Sequence, residues 1–235
     1  MPSITMPGSV RTPARRAATL LLISALAGGA LTAESVSAAA SAAPSSVSPT
    51  ATALQNAIVA KAQQQVSISP RNREKAGNCN YYSAVATDPK SGTVGNCGKV
   101  DGLQWRTNNW CADFIRYVWK NSGAKTKNTD AFAGSFYRAR NSIGTWHARG
   151  SYVPKIGDAV LYDWDGSTPS LGNNGWDVDH IGIVVAYNSS TKKLTTVEGN
   201  TTKTGSGGTE GVYKRTNRYN TKAGDVVGYV TPKKL

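Results

Sequence analysis

Of the 235 residues only three are Cys and two are His, so thiol or imidazole chemistry must draw on Cys79, Cys97, Cys111, His147 and His180. Cys111 sits in NNWCADFIRYVWKNSG, where Phe114, Ile115, Val118 and Trp119 recur at helical spacing. Asn108 and Asn109 can cap the start of this helix, and Lys120-Asn121 with Gly123 suit its end. Cys111 therefore falls in the first turn, where unpaired backbone N–H groups and the helix dipole favour an anion and stabilise a thiolate. The plain alternative is a buried structural cysteine.

A thiolate that is to cleave an amide needs an imidazole beside it. His180 follows the Gly/Asn/Asp-rich run GSTPSLGNNGWDVD and opens a β-branched stretch, His180–Tyr187, closed by Asn188-Ser189-Ser190. A second strand, Leu194–Glu198, follows. The two read as an antiparallel hairpin that sets His180 and Glu198 on neighbouring strands, remote from the turn. Glu198 or Asn200 is then placed to orient the imidazole, which is the logic of a thiol hydrolase. The oxyanion would meet the Cys111 backbone N–H and one further donor, with Gln104 and Asn109 as candidates. The plainer readings are a solvent-facing strand residue for Glu198 and a satisfied sheet-edge histidine for His180. His147, in NSIGTWHARGSYVP, reads as an exposed or substrate-facing loop residue.

The other two cysteines lie in GNCNYYSAVATDPKSGTVGNCG, 18 residues apart and each preceded by Gly-Asn. In an exported protein such a pair is well placed to form a disulfide across a surface loop, the alternative being two free, partly buried thiols. A metal site is poorly supported, because neither His is near and the spacing is not C-x-x-C.

The elements that must hold these residues read as α+β. Leu54, Ile58 and Ala62 mark a helix over 53–66, and a short helix fits 131–140 around Phe132, Phe136 and Tyr137. The turn Pro154–Asp158 leads into a strand at 159–162, and Gly224-Asp225 leads into another at 226–230. With the hairpin this makes at least four strands, mostly antiparallel, following the helices in the chain. The length and composition exclude collagen-like, coiled-coil, disulfide-dense and wholly disordered classes.

The N-terminal segment reads as an export signal, the alternatives being a membrane anchor or a disordered Ala-rich tail. Arg11, Arg15 and Arg16 precede an apolar run over 17–31, and small residues at 36–40 offer a cleavage region, giving a signal over 1–38. The run is too short to span a bilayer comfortably. Residues 39–52 are a Ser/Pro/Ala-rich lead-in expected to be disordered, and the folded domain is expected over 53–235. Losing 1–38 removes three Arg and one Glu and takes the formal charge from +13 to +11. A chain this basic is drawn to polyanions, and export points to an anionic extracellular surface such as a cell wall. Lys and Arg are scattered, so nucleic acid is not an expected specific partner.

Taken together, NNWCADFIRYVWKNSG, PKIGDAVLYDWDG, VDHIGIVVAYNSSTKKLTTVEGN and GDVVGYVTP resemble the CHAP family of cysteine, histidine-dependent amidohydrolases and peptidases, over roughly residues 53–232. The resemblance implies a papain-like α+β fold with N-terminal helices packed on a curved antiparallel sheet. It implies cleavage of an amide bond in peptidoglycan, as an N-acetylmuramoyl-L-alanine amidase or as a stem or cross-bridge endopeptidase. Carried over, Cys111 is the nucleophile, His180 the base, Glu198 the residue orienting the histidine and Asn200 the accessory polar residue. No cofactor and no catalytic metal are implied. Asp163, Asp165, Asp177 and Asp179 lack the interleaved spacing of a calcium loop.

The chain departs from the family in having Asn109-Trp110 ahead of the nucleophile. Trp110, and Trp176 in the loop before His180, are the candidates to face substrate. A secreted, monomeric, wall-associated hydrolase is the expectation. The rivals are a non-catalytic wall- or polyanion-binding module on the same fold, and an enzyme attacking another amide.

Overall fold

In a computed structural model, which describes residues 52–165, 168–204 and 207–235, the chain enters its first helix through a reciprocal cap. Thr52 Oγ1 accepts from the Gln55 backbone N–H, and Gln55 Oε1 accepts from the Thr52 backbone N–H. Helix α1 (Ala53–Gln65) turns Ile58 and Ala62 fully into the core, with Leu54 packed at its margin. The export signal expected over 1–38 and the lead-in as far as residue 51 lie outside the described residues.

The cysteine-bearing segment is built from very short pieces: β1 (Cys79–Asn80), α2 (Tyr81–Val85), β2 (Lys99–Val100), β3 (Leu103–Gln104) and β4 (Arg106–Thr107). Strand β1 pairs with β4 and β2 with β3, all antiparallel. Cys79 and Cys97 are joined by a disulfide and bury against Trp105 in a small core of their own. The link therefore closes a folded subunit rather than an exposed loop.

Helix α3 (Cys111–Asn121) follows, and eight of its residues are buried. Phe114, Ile115 and Val118 have no exposed surface, and each contributes about 1.5–3 kcal/mol by leaving water. Two one-turn helices, α4 (Ser135–Arg138) and α5 (Arg140–Ile143), precede the sheet. The sheet comprises β5 (Gly144–Ala148), β6 (Ala159–Tyr162), β7 (His180–Asn188), β8 (Lys193–Thr201), β9 (Gly211–Tyr219) and β10 (Val226–Pro232). Its order is β5-β10-β6-β7-β8-β9, with every neighbouring pair antiparallel. Two strands exceed the sequence expectation. In β5 the half-buried Trp146 and His147 break the apolar alternation, and in β9 Arg215 takes a buried position where a strand pattern calls for an apolar residue.

The strand period of two divides the core. Ile181, Ile183 and Val197 join the large cluster that includes Cys111, Phe114 and Val118, whereas Val160, Tyr162, Val184, Leu194, Val226 and Tyr229 form a second one. Helix α3 thus packs directly on the β7–β8 hairpin.

Gly199 sets how closely. A Cβ there would lie 2.6 Å from Phe114 Cβ and 2.7 Å from the Trp110 ring, with no flexible chain end to give way. Gly199→Ala is expected to destabilise the protein by about 1–3 kcal/mol through overpacking. Chemical denaturation checks this, and a midpoint equal to the parental one would contradict the close-approach account.

Candidate active site

Helix α3 starts without a side-chain cap: Trp110 stands at the cap position and makes no such bond, so the first-turn amides around Cys111 have no side-chain acceptor of that kind. Trp110 is held from three directions. Its backbone N–H donates to Asn200 Oδ1 at 2.7 Å, its Nε1–H donates to Glu74 Oε2 at 3.1 Å, and its ring stacks on Tyr82 at 5.3 Å. Asn200 sits in β8 at φ 53°, a left-handed conformation that Asn tolerates better than most residues. Its Nδ2 donates to Glu210. The end of the hairpin is thereby tied to the residue immediately before Cys111.

The first turn of α3 is also tied to the disulfide segment. Buried Asp113 accepts from Ser83 Oγ at 2.8 Å, Ser91 Oγ at 2.5 Å and Arg116 Nη1 at 2.8 Å. Arg116 Nη2 donates on to the carbonyls of Asp88 and Pro89. The Cys79–Cys97 segment is therefore a buttress for the helix that carries the thiol.

His180 opens β7 and is 2% exposed. Its Nε2 lies 3.1 Å from Glu198 Oε2, and Cys111 is near enough to act on the charge state of the imidazole. With Nε2 committed to Glu198, Nδ1 is the nitrogen left for the thiol. Glu198, with no exposed surface, also accepts from Thr196 Oγ1 at 2.5 Å and from Arg218 Nε at 2.9 Å and Nη2 at 2.7 Å. Gly182 leaves room for this carboxylate, since a Cβ there would meet Glu198 Cγ at 2.8 Å.

Trp164 stacks on the imidazole at 4.7 Å and remains 47% exposed, so it covers His180 and also faces solvent. Its backbone N–H is fixed by Asp179 Oδ2 at 2.6 Å.

These contacts decide the charge states. Burial alone would depress the His180 imidazole, but the influence of Cys111 and Glu198 outweighs burial and raises it to about 9. Burial alone would raise the Glu198 carboxyl. The hydrogen bonds from His180 and Arg218, with their charges, instead hold it well below the usual carboxylate range.

Sequence reasoning missed Trp164 and Arg218. Arg218 lies on β9, whose pattern concealed the strand, and Trp164 carried no signal apart from its place after a strand.

The remaining candidates fall elsewhere. Gln104 is spent on the Cys97 carbonyl at 2.5 Å and the Gly98 carbonyl at 3.4 Å, because it belongs to the disulfide subunit. The structure does not offer its amide to an oxyanion. Asn109 is exposed beside the start of α3, its Oδ1 accepting from Asn78 Nδ2 at 3.4 Å. Trp110 has no exposed surface, which corrects the expectation that it faces substrate: its ring is core. Trp176 is exposed, stacked on Phe132 at 5.1 Å with Arg138 over its ring.

His147 lies on strand β5 rather than in a loop and stacks on Tyr152 at 3.8 Å. The acidic residues between β6 and β7 brace their own loop. Asp163 accepts from the backbone of Asp165 and Ser170, and Asp177 accepts from Ser170 Oγ. Among the described residues no group of three or more His, Cys, Asp or Glu is arranged to hold a metal ion.

Residues 101–200 match the CHAP domain family model. The matched segment contains Cys111, His180, Glu198 and Asn200, whereas Arg218 lies beyond it. No curated protein and no solved structure matches the chain. Among the described residues no helix is long and apolar enough to cross a membrane.

The raised His180 and lowered Glu198 give stability a defined pH dependence. A raised imidazole contributes fully below its unfolded value near 6.5 and loses that contribution as pH rises through about 9. A lowered carboxyl contributes above its unfolded value of 4.5 and loses that contribution as pH falls toward its folded value. The stability difference between the parent and His180→Gln is therefore expected to shrink as pH rises from about 6.5 to beyond 9. Denaturation midpoints across that window measure it, and a difference that grows with pH would contradict the assignment.

Proposed function

We propose that the chain is a secreted cysteine hydrolase that cleaves an amide bond of peptidoglycan through a thioester acyl-enzyme. The observation that supports the reading is the 3.1 Å approach of His180 Nε2 to the fully buried Glu198 carboxylate, together with the influence of Cys111 on the same imidazole. The match to the CHAP domain supports a cysteine-hydrolase function on cell-wall substrates, and the scaffold is read as papain-like. The net charge of +11 left after loss of residues 1–38 favours adsorption to an anionic wall.

In this reading the Cys111 thiolate attacks the amide carbonyl carbon, forming a C–S bond and placing negative charge on the carbonyl oxygen. Backbone N–H groups at the start of α3 stabilise that oxyanion, with Asn109 as the side chain at hand. As the tetrahedral intermediate collapses, the C–N bond breaks and His180 gives its proton to the departing amine. Water then attacks the thioester carbonyl while His180 takes a proton from it. The C–S bond breaks, releasing a carboxylic acid, and the thiolate–imidazolium pair is restored. Glu198 keeps the ring oriented throughout and favours its cationic form. Asn200 acts on the nucleophile side, through Trp110. Trp164 screens one face of the imidazole and offers an exposed ring to the sugar or peptide bound there.

Cys111→Ala is expected to retain the fold by circular dichroism and to lose cleavage of purified peptidoglycan by about 10³-fold or more. Cleavage at the parental rate would rule out the thiol mechanism. A parental chain that binds walls without releasing fragments would favour the binding-module reading. Mass spectrometry of the fragments reads the bond cut: new L-alanine amino groups with intact stems identify an amidase, and new stem or bridge ends identify an endopeptidase.

A further inference from the structure

We infer that Arg218 is a positioning residue of this site: its guanidinium grips both oxygens of Glu198 and so fixes the carboxylate that holds His180 toward Cys111. The inference rests on the proposed hydrolase mechanism and adds to it a further member, from a strand beyond the segment that matches the CHAP domain.

The geometry is specific to arginine. Nε reaches Oε1 at 2.9 Å and Nη2 reaches Oε2 at 2.7 Å, a two-pronged grip that a planar fork can make and a single ammonium cannot. The guanidinium lies 4.8 Å from the Tyr162 ring centre and 5.6 Å from that of Trp164. It therefore lies against the same two aromatic rings that stack on His180. The neighbouring Arg215 is engaged differently: its donors go to Thr201 Oγ1, the Thr202 carbonyl and Asn217 Oδ1.

Oε2 of Glu198 is shared. It accepts from Arg218 Nη2 at 2.7 Å and faces His180 Nε2 at 3.1 Å. Oε1 is occupied by Thr196 and Arg218 Nε. Freed of Arg218, the carboxylate would keep only Thr196 and His180 and could turn about its last bond, and the ring it orients would turn with it.

The charged and titratable groups facing Glu198 are Tyr162 from β6, His180 from β7, and Arg215 and Arg218 from β9. Cys111 acts from α3 through the imidazole, and the charge of Glu210 also reaches His180. Of the two β9 cations that face Glu198, Arg218 is the one in contact with the carboxylate. Its loss makes Glu198 easier to protonate, and a protonated Glu198 no longer favours the imidazolium. The acid limb of activity must then move to higher pH. A merely structural arginine would lower the folded fraction without moving that limb.

The test compares Arg218→Gln and Arg218→Lys with the parent, using two pH profiles: kcat/KM on purified peptidoglycan and the rate of Cys111 alkylation by iodoacetamide. Arg218→Gln is expected to move the acid limb of both upward by about one pH unit, equivalent to a tenfold change in proton activity. It should also lower kcat about tenfold or more with KM little changed. Arg218→Lys, which keeps the charge but loses the fork, should restore the limb in part and kcat less. Folded variants with parental limbs and kcat within about twofold of the parent would overturn the inference; if Arg218→Gln does not fold, Arg218→Lys alone decides by the same criteria. The alkylation profile needs no substrate. A parent that fails to cleave peptidoglycan therefore sinks the hydrolase reading, while the alkylation limbs still judge Arg218.

Discussion

A carboxylate with no surface in contact with water is costly for any fold to hold, and Glu198 is such a group. Moving an ion of that size out of water costs several kcal/mol even after relaxation, and removing one partner of a buried pair costs about 3–5 kcal/mol. The protein supports the charge with Thr196 from the same strand, the two-pronged Arg218 from β9 and the imidazole of His180 from β7. Three adjacent strands are thereby locked in register around one anion. Hydrogen bonds to a charged group contribute about 1.5–3 kcal/mol each, so the full set offsets the burial and an incomplete one would not. The raised imidazole and the lowered carboxyl are two expressions of this arrangement.

The thiol is supplied from the other layer, and its placement relies on packing. Helix α3 lies against β7 and β8 because Gly199 permits close approach to Phe114 and Trp110, and the Asn200 amide fixes the backbone N–H just ahead of Cys111. On its far side Asp113 joins the same turn to Ser83, Ser91 and Arg116. The helix start is held between the hairpin and the disulfide segment. Its side-chain cap is missing where a stable helix would ordinarily carry one. That omission costs some helix stability, and it keeps the first-turn dipoles directed at the thiol and whatever charge develops beside it.

What the sequence disclosed and what it concealed follow from the range of the interactions. The helical spacing after Cys111 and the β-branched run after His180 are local signals, and both elements formed where those signals lie. The hairpin turn set the two strands side by side, so the nearness of His180 and Glu198 was also legible. Arg218 was not, because β9 buries charged residues for the sake of a partner on another strand, and no apolar alternation announces such a strand. Trp110 misled for the converse reason. A tryptophan beside a candidate nucleophile suggests a substrate wall, yet its ring is stacked on Tyr82 in the core and only its backbone faces the start of α3. Gln104 was near in sequence but belongs to a subunit with its own disulfide and its own core.

The scarcity of histidine makes the central claim directly measurable. Only His147 and His180 are present, and their surroundings push them in opposite directions. Burial, with some help from Lys155, lowers His147 below its usual 6.5. Against the effect of its burial, the influence of Cys111 and Glu198 raises His180 to about 9. Titrating the two imidazoles by NMR in the parental chain should therefore resolve one transition below 6.5 and one near 9, with the alkaline transition lost in His180→Gln. Two transitions at or below 6.5 would show that the ionised Glu198 does not hold a cationic His180, and the account of the site would fail.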